Sequence, residues 1–177
     1  MSENNNQRKT WIMYKKSYKI EDFDVTTIIP YFPDIWATEA SNKYGTWKAH
    51  YEGYLDTDCL GRVFNGGFDD GGIRIGKNHA TTIAKLYLDL PKGVSICPSR
   101  MEIRFQDAKN KNLYGFNIET QQWEFIAAIT GQPSYLTTTN FYSSFYLSWQ
   151  TSGASYAGYL HEWQIEQGKI RYTTLYS

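Results

Sequence analysis

Short runs of alternating apolar and polar residues, each closed by a turn signal within roughly 8 to 14 residues, constrain this chain more than any other feature. Ala84, Leu86, Leu88 and Leu90 share one parity, with Lys85, Tyr87 and Asp89 on the other. Met101, Ile103 and Phe105 alternate with Arg100, Glu102 and Arg104, and Trp47, Ala49 and Tyr51 alternate with Lys48, His50 and Glu52. Phe145, Leu147 and Trp149 follow the same rule against Tyr146 and Ser148. Strands wet on one face give this pattern, and antiparallel sheets are where such strands occur. Asp107 to Asn112 reads as a hairpin tip, after which Tyr114, Phe116 and Ile118 are expected to point inward. A turn at Glu119 to Gln122 leads to Trp123, Phe125, Ala127 and Ile129, again assigned to the core, with Glu124 facing away. One short helix is expected, capped by Asp34, running from Ile35 to Asn42 and closed by Gly45. The expected fold is therefore all-β: an antiparallel β-sandwich of jelly-roll type with at most one short helix.

At 177 residues without a compositional break, one domain is expected. Residues 1–10 form a polar, flexible arm and residues 11–177 a single β-sandwich domain. Eighteen basic and eighteen acidic residues cancel, so no global field draws the chain to nucleic acid or to an anionic membrane. Lys15, Lys16 and Lys19 interleave with Tyr14 and Tyr18 as on a solvated strand face. No apolar run is long enough to span a bilayer, and MSENNNQRKT lacks the apolar stretch of a secretion signal. Folding in a cytosol, or origin as a segment of something larger, is expected.

Catalytic sets are not apparent. His50, His79 and His161 stand without a Gly-x-Ser-x-Gly elbow, and Cys59 and Cys97 read as free thiols. Glu102, Glu124, Glu162 and Glu166 all occupy polar strand positions, where carboxylates are usually solvated; a glycan hydrolase would need two of them flanking a cleft. A non-catalytic role is expected, with a glycan-processing hydrolase, or an accessory module of one, as the alternative.

Two groups are candidates for binding. Asp56, Asp58, Asp69 and Asp70 lie in a glycine-rich segment and supply the oxygen ligands of a structural calcium ion, the one cofactor the sequence suggests. Asn65-Gly66 and Asp70-Gly71 equally mark tight β-turns that need no metal. The second group is aromatic, in a chain of 15 Tyr, 9 Phe and 6 Trp. Tyr135, Tyr142, Tyr146 and Tyr156 fall in loops or on the face opposite the assigned core, where a ring stacks on a sugar or packs in a subunit interface. The binding surface is expected in the loops Asp56 to Gly76 and Gly131 to Tyr142.

The segment His161-Glu162-Trp163-Gln164-Ile165-Glu166-Gln167-Gly168 resembles the closing strand of jelly-roll, carbohydrate-binding-module-like domains of bacteriophage tail and other virion proteins. Ile165, Glu166 and Gly168 match an aliphatic-Glu-x-Gly run; Tyr172 stands where such strands carry a Thr, and Thr173 follows one position late. The resemblance implies a virion-associated module, folded in the host cytoplasm and homo-oligomeric, that adheres to cell-surface carbohydrate or joins other virion subunits. It gives the motif structural tasks: Trp163 and Ile165 in the core, Glu166 tying down a neighbouring donor, Gly168 turning the chain.

Overall fold

A computed structural model describes residues 15–55, 59–65, 72–76, 78–79, 81–155 and 157–176, with only the backbone at positions 15, 16, 175 and 176. The candidate calcium ligands Asp56, Asp58, Asp69 and Asp70, Tyr156 and the polar arm lie outside these residues. The described residues form eleven strands: β1 (Lys15–Asp24), β2 (Glu39–Asn42), β3 (Gly45–Glu52), β4 (Ile73–Ile75), β5 (Ala84–Asp89), β6 (Val94–Gln106), β7 (Ala108–Asn117), β8 (Gln122–Ala128), β9 (Ser134–Tyr135), β10 (Tyr142–Thr151) and β11 (Gly158–Tyr176). The only helical element among the described residues is a 3-10 turn at Leu60–Arg62.

Every strand pairing is antiparallel. The hydrogen-bonded path runs β1-β11-β6-β10-β5-β3-β2, with β4 on β11, β9 on β6, and β7 between β10 and β8. Only Tyr142 opposite Ile96 joins β10 to β6, so the sheet curls at that seam. One half, β2-β3-β5-β10-β7-β8, thereby shares an interior with the other, β1-β11-β6. Trp47, Leu86, Leu88, Phe145, Leu147 and Trp149 meet Ile96, Met101, Ile103, Leu160, Ile165 and Ile170 in one core cluster. The protein is thus all-β, antiparallel and sandwich-like, and alternation placed the core residues of β5, β6 and β10 on the correct side.

Three local expectations are corrected. Residues 35–42 form no helix: Glu39–Asn42 pairs with Gly45–Lys48 as a hairpin, which buries Ala40 opposite Trp47. A good helical cap does not hold a segment whose only apolar contact comes from pairing. Asp107 to Asn112 is no hairpin tip; Asp107, at φ 53°, turns the corner between halves of the sheet, and β7 begins at Ala108. Gly168 does not turn the chain either. β11 continues through it as a bulge, and a Cβ there would lie 2.3 Å from the carbonyl oxygen of Cys97, so backbone approach demands glycine.

Of the other tasks given to the closing strand, the core positions are met. Trp163 and Ile165 are buried. Glu166 faces Arg100 Nε at 3.1 Å, an ion pair without the alignment of a hydrogen bond. Tyr159 is half-buried and stacked on His161, while Leu160 is buried in the core.

Candidate functional site

The parity expected is inverted along β7 and at Trp123 and Phe125 of β8, while Ala127 and Ile129 keep the expected side, and this creates an unusual surface. Leu113, Gly115 and Asn117 face inward on β7, which leaves Tyr114 and Phe116 outside. Gly115 is needed there because the buried Tyr142 ring crosses it; a Cβ would sit 2.4 Å from that ring. A bulge between Leu113 and Tyr114 then shifts β8, so that Phe125 lies opposite Tyr114 and Trp123 opposite Phe116.

Cross-strand register aligns the outer rings. His50 of β3 is opposite Tyr87 of β5, Tyr87 opposite Tyr146 of β10, Tyr146 opposite Tyr114 of β7, and Tyr114 opposite Phe125 of β8. His50 and Tyr87 stack with centroids 4.5 Å apart and planes 6° from parallel; Tyr146 and Tyr114 stack at 4.5 Å and 12°. Tyr87 and Tyr146 join these pairs at 4.9 Å. Rings stacked at about the inter-strand spacing turn their faces to one another and their edges outward. Trp123 breaks this series, meeting Tyr87 at 76° and Tyr146 at 63°. Phe125 meets Tyr114 at 76°. Trp123 is 39% exposed and Phe125 56%, whereas Tyr87 and Tyr146 are buried beneath their neighbours. The result is a supported platform with two solvent-facing rings.

Polar rows border it. Glu52, Lys85, Ser148 and Asn112 lie one register step along, opposite one another in sequence across four strands. The Lys85 ammonium stands 5.4 Å over the Tyr146 ring. A groove of about 260 Å³ runs beside Tyr114 and Tyr146, with Lys85, Asn110, Asn112 and Gln150 on its walls. Asn110 Nδ2 donates to Gln150 Oε1, so the amides are held as a pair. Burial, then a hydrogen bond to Glu52, pushes the Tyr87 hydroxyl up to about 12. It remains a neutral donor throughout the physiological range.

The other proposed tyrosines have different surroundings. Tyr142 is not exposed as expected: it is buried, and its hydroxyl donates to Glu124 Oε1 at 2.6 Å while lying 2.9 Å from Thr138 Oγ1. Glu124 also accepts from Asn140 at 2.7 Å and Asn117 at 3.1 Å. These donors, Tyr142 first, hold the Glu124 carboxyl below its ordinary value against the opposing effect of burial. Tyr135 is 73% exposed on β9, with the Arg100 guanidinium 5.8 Å from its ring. It belongs to the other half of the curled sheet, so the structure brings Tyr146 into the aromatic row but neither Tyr135 nor Tyr142.

Removing the Tyr142 hydroxyl should report on Glu124. Tyr142→Phe is expected to destabilise the fold by about 1 to 2 kcal/mol at neutral pH, the lower range for a bond to a charged group that water still reaches. The Glu124 carboxyl should titrate higher. A depressed carboxyl stabilises the fold above its unfolded value, and that contribution is lost as pH falls through the folded value. The variant's excess instability over wild type should therefore narrow on acidification. Carboxyl chemical-shift titration and urea unfolding at neutral and acid pH check both; an unmoved Glu124 titration contradicts the coupling.

The remaining carboxylates are individually engaged or separate. Glu162 pairs with Arg104 at 3.7 Å and Glu166 with Arg100 on β11 and β6, while Glu124 sits on β8. Among the described residues no cluster of three or more His, Cys, Asp or Glu side chains could hold a metal ion. The described parts of the two loops expected to bind contribute Val63 to a cavity of about 450 Å³ with Thr27, Tyr31, Arg104, Glu162 and Trp163, and Thr138, Thr139 and Phe141 to another of about 520 Å³ with Cys97 and Lys169. The aromatic row lies elsewhere, and the signal that could have revealed it was the density of aromatics at matching parity in five consecutive sheet neighbours. Neither family models, nor curated proteins, nor solved structures give a match to this chain, so its fold and its sites rest on its own residues.

Proposed function

We propose that this chain is a non-catalytic carbohydrate-binding module, and that the outer face of the β3-β5-β10-β7-β8 half is where saccharide docks. The observation that carries the reading is the in-register row from His50 to Phe125, with Trp123 and Phe125 exposed and side-chain amides alongside. The apolar face of a pyranose ring stacks on a flat aromatic surface, and its equatorial hydroxyls need donors and acceptors at the rim. Lys85, Asn112 and Ser148 supply these. A subunit interface is the competing use of an aromatic face; it favours charge-depleted surroundings, whereas Glu52, Lys85, Lys48 and Asp89 flank this one. In the setting implied by the closing strand, such a module serves adhesion of a virus particle to host glycans, or joins neighbouring virion subunits.

Titration of the native protein with neutral and acidic oligosaccharides, preceded by a glycan array, tests the proposal through indole fluorescence and calorimetry. Saturable binding with a change in Trp emission is expected. Absence of saturable binding across the array, or self-association that disappears in Trp123→Asp, would overturn it in favour of the interface.

A further inference from the structure

A second site lies at the seam between the two halves, where β1, β6 and β11 meet the end of β7, and its polar residues are not those of the aromatic row. Arg171 of β11 and Ser95 of β6 are direct cross-strand partners, which places their side chains together on one face. Ser95 is only 2% exposed, and its hydroxyl has no hydrogen-bond partner among the described residues. The same is true of Arg171 Nε. Both residues line a cleft of about 330 Å³ that also touches Tyr18, Phe116 and Glu119. Buried donors without acceptors are uncommon in folded proteins, and two of them in residues that line one cleft mark a place where an acceptor belongs.

The guanidinium is held firmly. It lies 3.9 Å from the Tyr18 ring centroid and 5.8 Å from that of Phe141, and its side chain is only 14% exposed. Its Nη1 donates to Glu119 Oε1 at 3.0 Å. Glu119, however, sits at the turn after β7 with its side chain 71% exposed, so little fixes it there. A carboxylate is thus already the partner this arginine takes, through one corner of the fork, while the Nε side remains unused. Arginine binds carboxylates best by two parallel N–H bonds.

We propose that this cleft is a carboxylate-binding subsite, in which an incoming carboxylate takes two bonds from the unused Nε side of the Arg171 guanidinium and a third from Ser95 Oγ, beside the Glu119 carboxylate on Nη1. Uronic sugars and simple organic acids share this chemistry. Calorimetric titration of the native protein with glucuronate, acetate, glucose and inorganic phosphate tests it. Saturable binding of glucuronate or acetate, with none for glucose, is expected. Glucuronate tighter than acetate assigns the carrier as an acidic sugar whose ring meets Tyr18; equal affinities assign a bare carboxylate. Glu119→Gln should tighten carboxylate binding roughly tenfold by removing the like charge beside the incoming one, an effect that cannot arise from misfolding of an exposed turn. Ser95→Ala should weaken it several-fold without loss of the fold, and Arg171→Gln should abolish it. Failure of both carboxylates to saturate, phosphate binding more tightly than either, or affinity unchanged in Glu119→Gln overturns the proposal. Neutral saccharide binding at Trp123 would be untouched by any of these results.

Discussion

Trp123→Ala is expected to leave the fold intact and to weaken saccharide binding about 30-fold, the loss of an anchor contributing about 2 kcal/mol. The indole is 39% exposed and touches Tyr87, Tyr146 and Phe116 along ring edges, so its removal uncovers the row without opening the core. Phe125→Ala should act in the same direction with a smaller effect, because Phe125 contacts only the end of the row at Tyr114. Tyr135→Ala, on the other half of the sheet, is the control and should bind as wild type does. Calorimetry for affinity and urea unfolding for stability separate the two readouts. A Trp123 variant that binds normally, or whose binding falls only in proportion to unfolding, removes the platform from the argument.

The largest stability effect is expected at Trp149. It is fully buried, packs against Phe105 with centroids 5.5 Å apart, and donates its indole N–H to the carbonyl of Gly158 at 3.2 Å. Trp149→Ala should cost about 3 to 5 kcal/mol through lost transfer energy and the cavity left behind. Trp149→Phe restores much of the volume but leaves the Gly158 carbonyl without its donor, at a cost of about 1 to 3 kcal/mol. Urea midpoints for the two variants should fall in that order below wild type. An alanine variant within about 1 kcal/mol of wild type would mean that the surrounding core collapses to fill the space.

Alternation made the interior legible where strands were regular. Leu86, Leu88, Met101, Ile103, Phe145, Leu147 and Trp149 lie where period two puts them, because β5 and β10 pair without a shift from Phe145 to Trp149 and β6 pairs with β11 without one from Met101 to Ile103. It failed at β7 and β8 for a physical reason. On β8 one bulge, opposite the step from Leu113 to Tyr114, turns Phe125 and Trp123 to the outer face while Ala127 and Ile129 keep the inner one; β7 alternates without a break but in the opposite phase. Hydrophobicity pointed the wrong way as well, since Tyr114, Phe116, Trp123 and Phe125 all read as core. What takes their place inside is Gly115, whose missing side chain admits Tyr142, and Tyr142 in turn needs Glu124 and Thr138. A glycine's vacancy and a tyrosine's long-range partner are set by tertiary contact and leave no period in the sequence. The site was therefore legible only at Tyr146, while its neighbours became visible once strand order and register were known.

The pairing of Lys15 with Tyr176 has a mechanical consequence. β1 and β11 run antiparallel there, so tension applied between those two positions loads the hydrogen bonds of β1 one after another, as in opening a zip. Tension directed along β11 instead acts against the register it shares with β6 from Tyr159 to Tyr172. Those bonds bear the load together. A pull along β11 is thus resisted by many bonds at once, whereas one between Lys15 and Tyr176 peels the first strand away.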